Sequence, residues 1–363
     1  MMETIAFTRG VPADESFPIE EIIGCAEACL KQHGKTLLQY HPVRGFQPLR
    51  EALAEQNGVC VDQIMVGNGS IHLFDLLCRV LYEPGDVALV ERPTYDRSIT
   101  TLRSAGYEVH GIDLAPDGIE LDAFKTALET YRPRLVYLIP DFQNPSGATM
   151  SDEKRRAAVD LAEQHGAQLV IDVPYRPLRY WGDEVPCLSE YANDRLIQLS
   201  SFSKLISPGM RVGWMSAPAD IVSRVACLAE DTYISPGMLP QGVVHQFLEK
   251  GLMEVGIERL KALYAPRLKT ILAALDRHMA NGSWVRPEGG FFLGLTLPEG
   301  VRSADLRRVA PEFGLKLSNG EGFYADGDGS RFVRLPFCAL TETQIDDAVE
   351  RLAQAVAKTR TAS

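Results

Sequence analysis

The sequence predicts an α/β protein: a mostly parallel β-sheet between helical layers, with a smaller α+β part attached. Three observations lead to this. Short apolar runs at 64–66, 87–90, 135–139, 169–171 and 196–199 alternate with stretches of helical spacing, the pattern of βαβ units whose strands are buried on both faces. The runs lead into small, polar or turn-forming residues, such as Gly69-Ser70, Asn144-Pro145-Ser146-Gly147 and Ser201-Phe202-Ser203. Past residue 278 the character changes to strands at 291–297 and 332–335 and a closing helix at 341–359.

In chain order, residues 4–8 read as a short strand ended by Arg9-Gly10-Val11-Pro12. Pro18 opens a helix with apolar spacing through Ile22, Ile23, Ala26 and Leu30. A turn-rich segment, Tyr40-His41-Pro42-Val43-Arg44-Gly45, precedes a helix from Pro48 with Leu49 and Leu53 inward. The strand at 64–66 ends in Gly67-Asn68-Gly69-Ser70, and an apolar helix at 71–81 follows at once. A glycine turn feeding a helix start offers backbone N–H groups and the positive dipole end to an anion; it also serves as a plain strand-to-helix turn. Strand 87–90, helix 95–105 and strands 107–112 and 135–139 come next. Ser151 caps a helix at 152–165, and strand 169–171 ends at Asp172. After Arg211 a helical region runs over 219–278 with one interruption, at Ser235-Pro236-Gly237. The N-terminal strand is expected to join the C-terminal part. In sheets of this kind ligands sit beyond the carboxyl ends of the strands, so the residues just after each strand are the candidate site.

The chain has 363 residues, 45% hydrophobic and 23% charged, enough for two domains. A net charge of −11 without a basic run argues against a nucleic-acid partner. No run approaches the roughly 18 apolar residues of a membrane span, and the first twenty residues carry no signal-peptide core. The seven cysteines are scattered, which reads as reduced thiols in a cytoplasmic protein and no metal site.

Lys204 lies in Ser201-Phe202-Ser203-Lys204, with Pro208-Gly209 and Arg211 downstream. A lysine at a strand end among apolar neighbours can lose its proton and attack a carbonyl. The Ser201 and Ser203 hydroxyls and the Arg211 guanidinium suit a phosphate. An aldehyde carrying a phosphate, as pyridoxal phosphate does, satisfies all of them; an ordinary solvated lysine satisfies the local pattern equally. Asp172-Val173-Pro174-Tyr175 places a carboxylate and a phenol after another strand, and Asn144 sits in a turn after a third.

Taken in order, these pieces resemble fold-type I, pyridoxal-phosphate-dependent aminotransferases of class I/II, nearest the branch of 2-aminoadipate aminotransferases and the aminotransferase part of MocR-type regulators. The likeness runs from about Phe7 to Val356. It takes in Gln39-Tyr40-His41-Pro42, Gly69-Ser70, Arg92-Pro93-Thr94-Tyr95, the 139–147 segment, Asp172 to Tyr175, Ser201 to Arg211, Arg286-Pro287-Glu288-Gly289-Gly290 and Val333-Arg334-Leu335-Pro336-Phe337.

The resemblance implies the three-layer fold of aspartate aminotransferase. Residues 44–263 would form the large domain, and 1–43 with 264–363 the small one. It implies pyridoxal 5'-phosphate as cofactor and transfer of an amino group from an L-amino acid to a 2-oxo acid by a ping-pong route. Lys204 would hold the cofactor covalently and shuttle protons, and Asp172 would keep the ring nitrogen protonated. Tyr175 and Asn144 would bond the ring hydroxyl, and Tyr95 would stack on the ring. The Gly69-Ser70-Ile71 helix start, Ser201, Ser203 and Arg211 would hold the phosphate. Tyr40 would reach the phosphate of the neighbouring subunit, so a homodimer with shared sites is expected. Arg334 would take the substrate α-carboxylate, with Asn144, Gly10 and Arg9 beside it.

The sequence departs from the branch in several places. Arg9 stands where a glycine is usual, Ile71 and His72 replace two glutamines, Arg44 replaces an acid or neutral residue, and the chain opens at the first strand without a covering helix. Arg9 and Arg44 are candidates for reading a second carboxylate, with ordinary ion pairing as the alternative, and His72 for orienting a polar group. Two further functions use the same residues: a lyase, cyclase or oxidase reaction on the same cofactor, and a non-catalytic regulatory module.

Overall fold

A computed structural model describes residues 3–191, 195–279 and 281–362. The chain begins with β1 (Ile5–Phe7), α1 (Ile19–Leu37), α2 (Gln47–Asn57), β2 (Ile64–Gly67) and α3 (Ser70–Leu81). β3 (Val87–Arg92), α4 (Asp96–Ala105), β4 (Glu108–Ala115), β5 (Gly118–Ile119), α5 (Leu121–Tyr131) and β6 (Leu135–Leu138) follow. Then come α6 (Asp152–Gln164), β7 (Gln168–Asp172), β8 (Ile197–Ser201), β9 (Gly213–Ser216), α7 (Ala219–Tyr233), α8 (Met238–Glu249) and α9 (Leu252–His278). The C-terminal part holds β10 (Ser283–Trp284), β11 (Phe292–Thr296), α10 (Ser303–Val309), β12 (Leu315–Leu317), β13 (Phe332–Pro336) and α11 (Glu342–Ala362).

The main sheet has eight strands in the order β2-β9-β8-β7-β6-β3-β4-β5. The ladders from β4 through β3, β6 and β7 to β8 are parallel. β9 runs antiparallel to both β8 and β2, and β5 folds back antiparallel on β4. The sheet is mostly parallel, as the sequence predicts.

Alternate strand residues fill opposite faces. Val90, Tyr137 and Val170 join the core under α3 and α7. Their neighbours Leu89, Val136 and Ile171 join the core under α5 and α6. Helices therefore cover both faces, giving three layers. The 3-stranded sheet β10-β11-β13 belongs to the C-terminal part. As expected, β1 joins that part, pairing in parallel with β12.

Three local expectations change. The buried stripe of α1 is Cys25, Cys29 and Leu37, while Ile23 is 55% and Leu30 38% exposed. The helical region after Arg211 is broken twice, the second time at Gly251 (φ 63°). β9 and α5 have no counterpart in the sequence reading; β9 spans only four residues, and its burial comes from two flanking strands rather than from an apolar run.

Candidate active site

The carboxyl ends of β6, β7 and β8, the start of α3 and the ends of β1 and β12 enclose a cavity of about 490 Å³. Of the expected site residues, it is lined by Arg9, Gly10, Ser70, Ile71, Tyr95 and Asn144. Asp172, Tyr175, Ser201, Ser203, Lys204, Arg211 and Arg334 complete that set.

Lys204 ends a single 3₁₀ turn that follows β8 directly. Its Nζ donates to the Gly10 carbonyl at 3.0 Å and lies 5.6 Å from the Phe291 ring centroid. Burial pushes the amine down to about 8, assisted by the charges of Arg334 and Arg211 and opposed by Cys338 and Asp172. A large fraction of such an amine is neutral near pH 8, the form that attacks carbonyls.

Asp172 ends β7. Its Oδ2 accepts a hydrogen bond from the Tyr137 hydroxyl at 2.8 Å, and its Oδ1 is buried without a partner. Burial pushes the carboxyl up to about 6, against the lowering effects of Tyr137 and Lys204. A buried carboxylate oxygen left unbonded is costly, and a charged N–H donor in the cavity would satisfy it. Tyr175 is 5% exposed, packs edge-on to Phe292 at 5.6 Å, and its phenol is raised well above its ordinary range by burial.

The anion cradle is built from backbone. Gly69 adopts φ 100°, and a Cβ there would come within 2.5 Å of the Arg211 guanidinium. Arg211 Nη2 donates to the Asn68 carbonyl at 3.3 Å, which holds the guanidinium over the start of α3. The Ser203 N–H donates to Ser201 Oγ at 3.1 Å, and the two hydroxyl oxygens lie 2.8 Å apart. A helix N-terminus, an arginine and two hydroxyls form an anion site of phosphate character.

Arg334, on β13, is 8% exposed. Its Nη1 donates to Asn144 Oδ1 at 3.0 Å and its Nη2 to the Thr8 carbonyl at 2.7 Å. The rings of Phe323 and Phe292 stack on it at 4.5 and 4.9 Å. Its Nε is buried without a partner. With Nη1 holding Oδ1, the amide NH₂ of Asn144 is the group left to donate.

Other expected residues lie elsewhere. Arg44 is taken up by Asp62 at 3.3 Å and Ser223 at 2.8 Å and does not line the cavity. His72 packs against Tyr233 at 4.9 Å, also outside the lining. Arg44 is tied to α7, and His72 lies in the first turn of α3 turned toward α7. Tyr40 is 76% exposed and lies outside the cavity of its own chain.

The structure also adds residues. Tyr137 is the partner of Asp172. Glu91, fully buried, accepts from the Ile139 N–H at 3.1 Å and from Gln143 Nε2 at 3.0 Å, which pins the segment leading to Asn144. Asp96 and Arg97 enter the lining from the first turn of α4. Their only sequence signal is that they follow Tyr95 directly.

The neutralisable lysine, the unpartnered Asp172 oxygen and the anion cradle together match a ring with a protonated nitrogen, an aldehyde and a phosphate. The fold and site define a pyridoxal-phosphate-dependent transferase of the aspartate aminotransferase type. The pattern of the family "Aminotransferase class I and II" matches residues 4–352, and the chain belongs to that family. It is 33% identical to the aromatic-amino-acid aminotransferase 1 of Thermococcus litoralis, over 98% of this chain and 88% of that protein. It is likewise 33% identical to the 2-aminoadipate transaminase of Thermus thermophilus, over 97% of this chain and 90% of that one. The crystal structure of a Thermus thermophilus α-aminoadipate aminotransferase, complexed with N-(5'-phosphopyridoxyl)-L-leucine, superposes with a TM-score of 0.93 at 32% identity. The match covers 99% of this chain and 94% of that one. The protein is accordingly an aminotransferase that uses pyridoxal phosphate and moves the amino group of an amino acid to a 2-oxo acid.

Proposed function

We propose that Lys204, Asp172 and Tyr175 carry the transamination, in a cytoplasmic homodimer acting on L-amino acids by a ping-pong route. The observation that carries the assignment is the convergence of Lys204 Nζ and the unpartnered Asp172 Oδ1 on one cavity. The cofactor, when bound, supplies an electron-withdrawing ring that stabilises negative charge developing at the substrate Cα.

Asp172 Oδ1 holds the proton on the ring nitrogen. The amide NH₂ of Asn144 and the hydroxyl of Tyr175 are the donors for the ring oxygen, and Tyr95 covers the ring face. Gly69, Ser70 and Ile71 at the α3 start, with Ser201, Ser203 and Arg211, hold the phosphate. Arg334 binds the α-carboxylate and fixes which Cα bond faces Lys204. The Lys204 amine would move a proton between the substrate Cα and the cofactor carbon that carried the aldehyde, in one direction in the first half of the cycle and in the reverse direction in the second. Its depressed basicity keeps it competent as a base near neutral pH.

Residues 44–263 make up the cofactor-binding domain in this reading, and 1–43 with 264–363 the smaller domain. The homodimer is supported by apolar residues left uncovered along and after α1: Ile19 is 61%, Ile23 55% and Leu38 74% exposed. Tyr40 follows this stretch and turns away from its own cavity, where it can serve a neighbour's phosphate. The cytoplasmic assignment rests on free buried thiols at Cys25, Cys29, Cys78 and Cys338.

Borohydride reduction of the holoenzyme followed by peptide mapping tests the site. The pyridoxyl mass is expected on Lys204 and absent from the Lys204→Ala protein. A label on any other lysine refutes the assignment.

A further inference from the structure

The groups of the site stand on two different sheets. Asp172 and Lys204 end or follow strands of the eight-stranded sheet, while Arg334 lies on β13 of the three-stranded one. A carboxylate held by Arg334 presents its Cα to Lys204 only when the two sheets keep one alignment. One ring on the Arg334 guanidinium, Phe292, belongs to the adjacent strand β11 and is carried with it. The other, Phe323, comes from the segment 318–331 between β12 and β13. That segment crosses to the eight-stranded sheet. The N–H of Thr94, the residue before Tyr95, donates to the Phe323 carbonyl at 2.8 Å.

Three residues past Phe323 the segment is fastened by a carboxylate. Asp326 Oδ1 accepts from Arg92 Nη1 at 2.8 Å, and both its oxygens accept from the Gly111 N–H at 3.1 Å. His110 Nδ1 lies 3.4 Å from Oδ2. Arg92 ends β3, and its Nε donates at 2.8 Å to Asp113, its register partner on β4. Arg103 on α4 donates to the Ala325 carbonyl at 2.6 Å. Two glycines make room for these contacts. A Cβ on Gly111 would come 2.7 Å from Asp326 Oδ1, and one on Gly327, at φ 76°, would come 3.1 Å from Arg92 Nη1. The side chains of Arg92 and Asp326 are partly buried, 25% and 34% exposed, so their charge-assisted bond is screened less than a fully exposed pair.

We infer that Asp326 is a positioning residue. Through Arg92 and the Gly111 N–H it latches the 318–331 segment onto β3 and β4, fixes Phe323 against Arg334, and so aims the guanidinium at the substrate α-carboxylate. Asp326 does not line the cavity and acts through Phe323. The inference rests on the assignment of Arg334 made above. With the latch open, Arg334 keeps its bonds to Asn144 and Thr8 and its contact with Phe292. It loses the ring on its other face, one of the two that set its plane. A shift of that kind weakens recognition of the carboxylate and leaves the cofactor where it is.

The test uses holoenzyme and substrate pairs that differ only in the α-carboxylate: L-alanine with ethylamine, L-leucine with 3-methylbutylamine, and L-phenylalanine with 2-phenylethylamine. Loss of the holoenzyme's cofactor absorbance gives the half-reaction rate constant for each member, and the fastest pair is used. Asp326→Ala should lower the ratio of amino acid to amine by about tenfold, mostly through the half-saturating concentration, with cofactor affinity unchanged. Gly111→Ala leaves every charge in place and displaces the carboxylate; it should act alike, and it carries the same readout should Asp326→Ala not fold. Asp326→Asn should retain part of the ratio, because its amide oxygen still accepts from Arg92 and Gly111. Hydrogen exchange in Asp326→Ala or Gly111→Ala, read by mass spectrometry, should rise in peptides from 318–331 and stay constant in those from 197–204. An unchanged ratio, a fall shared equally by amino acid and amine, or unchanged exchange over 318–331 overturns the inference. If Arg334→Ala leaves the ratio intact, the parent assignment of Arg334 fails, and exchange still decides whether Asp326 holds the segment.

Discussion

Buried ionisable side chains define this site residue by residue, and each departs from its ordinary proton affinity for a visible reason. Asp172 and Lys204 are both shifted toward neutrality by burial, and a protonated ring nitrogen beside Oδ1 would reverse the shift of Asp172. Glu91 is the third member of the set: burial raises its carboxyl to about 8, against lowering by Gln143 and the Ile139 N–H. The sign of its effect on stability follows directly. The folded state keeps the Glu91 proton up to about pH 8, while the unfolded chain releases it near its ordinary value of 4.5. Its contribution is therefore full below about pH 4.5 and is lost as pH rises through the window to about 8. Glu91→Gln preserves both acceptor contacts without the titration. The melting temperature of the wild type, measured relative to this variant, should decline from pH 5 to 8 and level off above. A difference that stays flat across that range means that Glu91 is ionised in the folded protein.

Among the elements, the short strand β9 has the largest consequence for the site. It lies between β8, which leads to Lys204, and β2, which leads to the anion cradle at the α3 start, and Gly213 pairs with both Ser201 and Gly67. A Cβ on Gly213 would come 2.3 Å from the Ser70 nitrogen and 2.6 Å from the Gly69 carbonyl carbon. Those are backbone atoms and cannot rotate away. Gly213→Ala should therefore displace the α3 start and weaken cofactor binding by about tenfold or more, with a loss of roughly 1–3 kcal/mol in stability typical of overpacking. Cofactor affinity of the apoprotein, followed by absorbance titration, checks the first effect. Denaturant midpoints check the second. Wild-type cofactor affinity in a folded Gly213→Ala protein would show that the cradle tolerates the shift.

For the molecule as a whole, the uncovered α1 face and the outward Tyr40 predict a dimer. Sedimentation of the holoenzyme at micromolar concentration should give about twice the chain mass, and Ile23→Asp should shift it toward the monomer. Loss of cofactor should accompany that dissociation, because Tyr40 of one subunit would then be withdrawn from the other. A wild-type protein that sediments as a monomer while fully active rules this out.

The sequence by itself determined the α/β class, the strand ends at which the site is built, and many of the residues that line the cavity. These are local matters: apolar runs bury in a parallel sheet, and Gly69-Ser70, Asp172 and Ser201 to Lys204 each follow such a run within a few residues. It also determined that Arg334 lies on a strand near the C-terminus. Only the tertiary structure decided what the remaining charges do. In sequence Arg44 fits either a second carboxylate or an ordinary ion pair; Asp62 and Ser223, 18 and 179 positions away, hold it outside the cavity of its own chain. Arg97 carries no motif, yet the start of α4 brings it to the cavity that Arg9 lines. β9 is too short to register as a periodic pattern, and it is fixed by pairing with strands whose register partners lie 146–152 and 12–18 residues away. Pairings of that kind depend on which distant segments meet, and side-chain spacing along the chain holds no record of them.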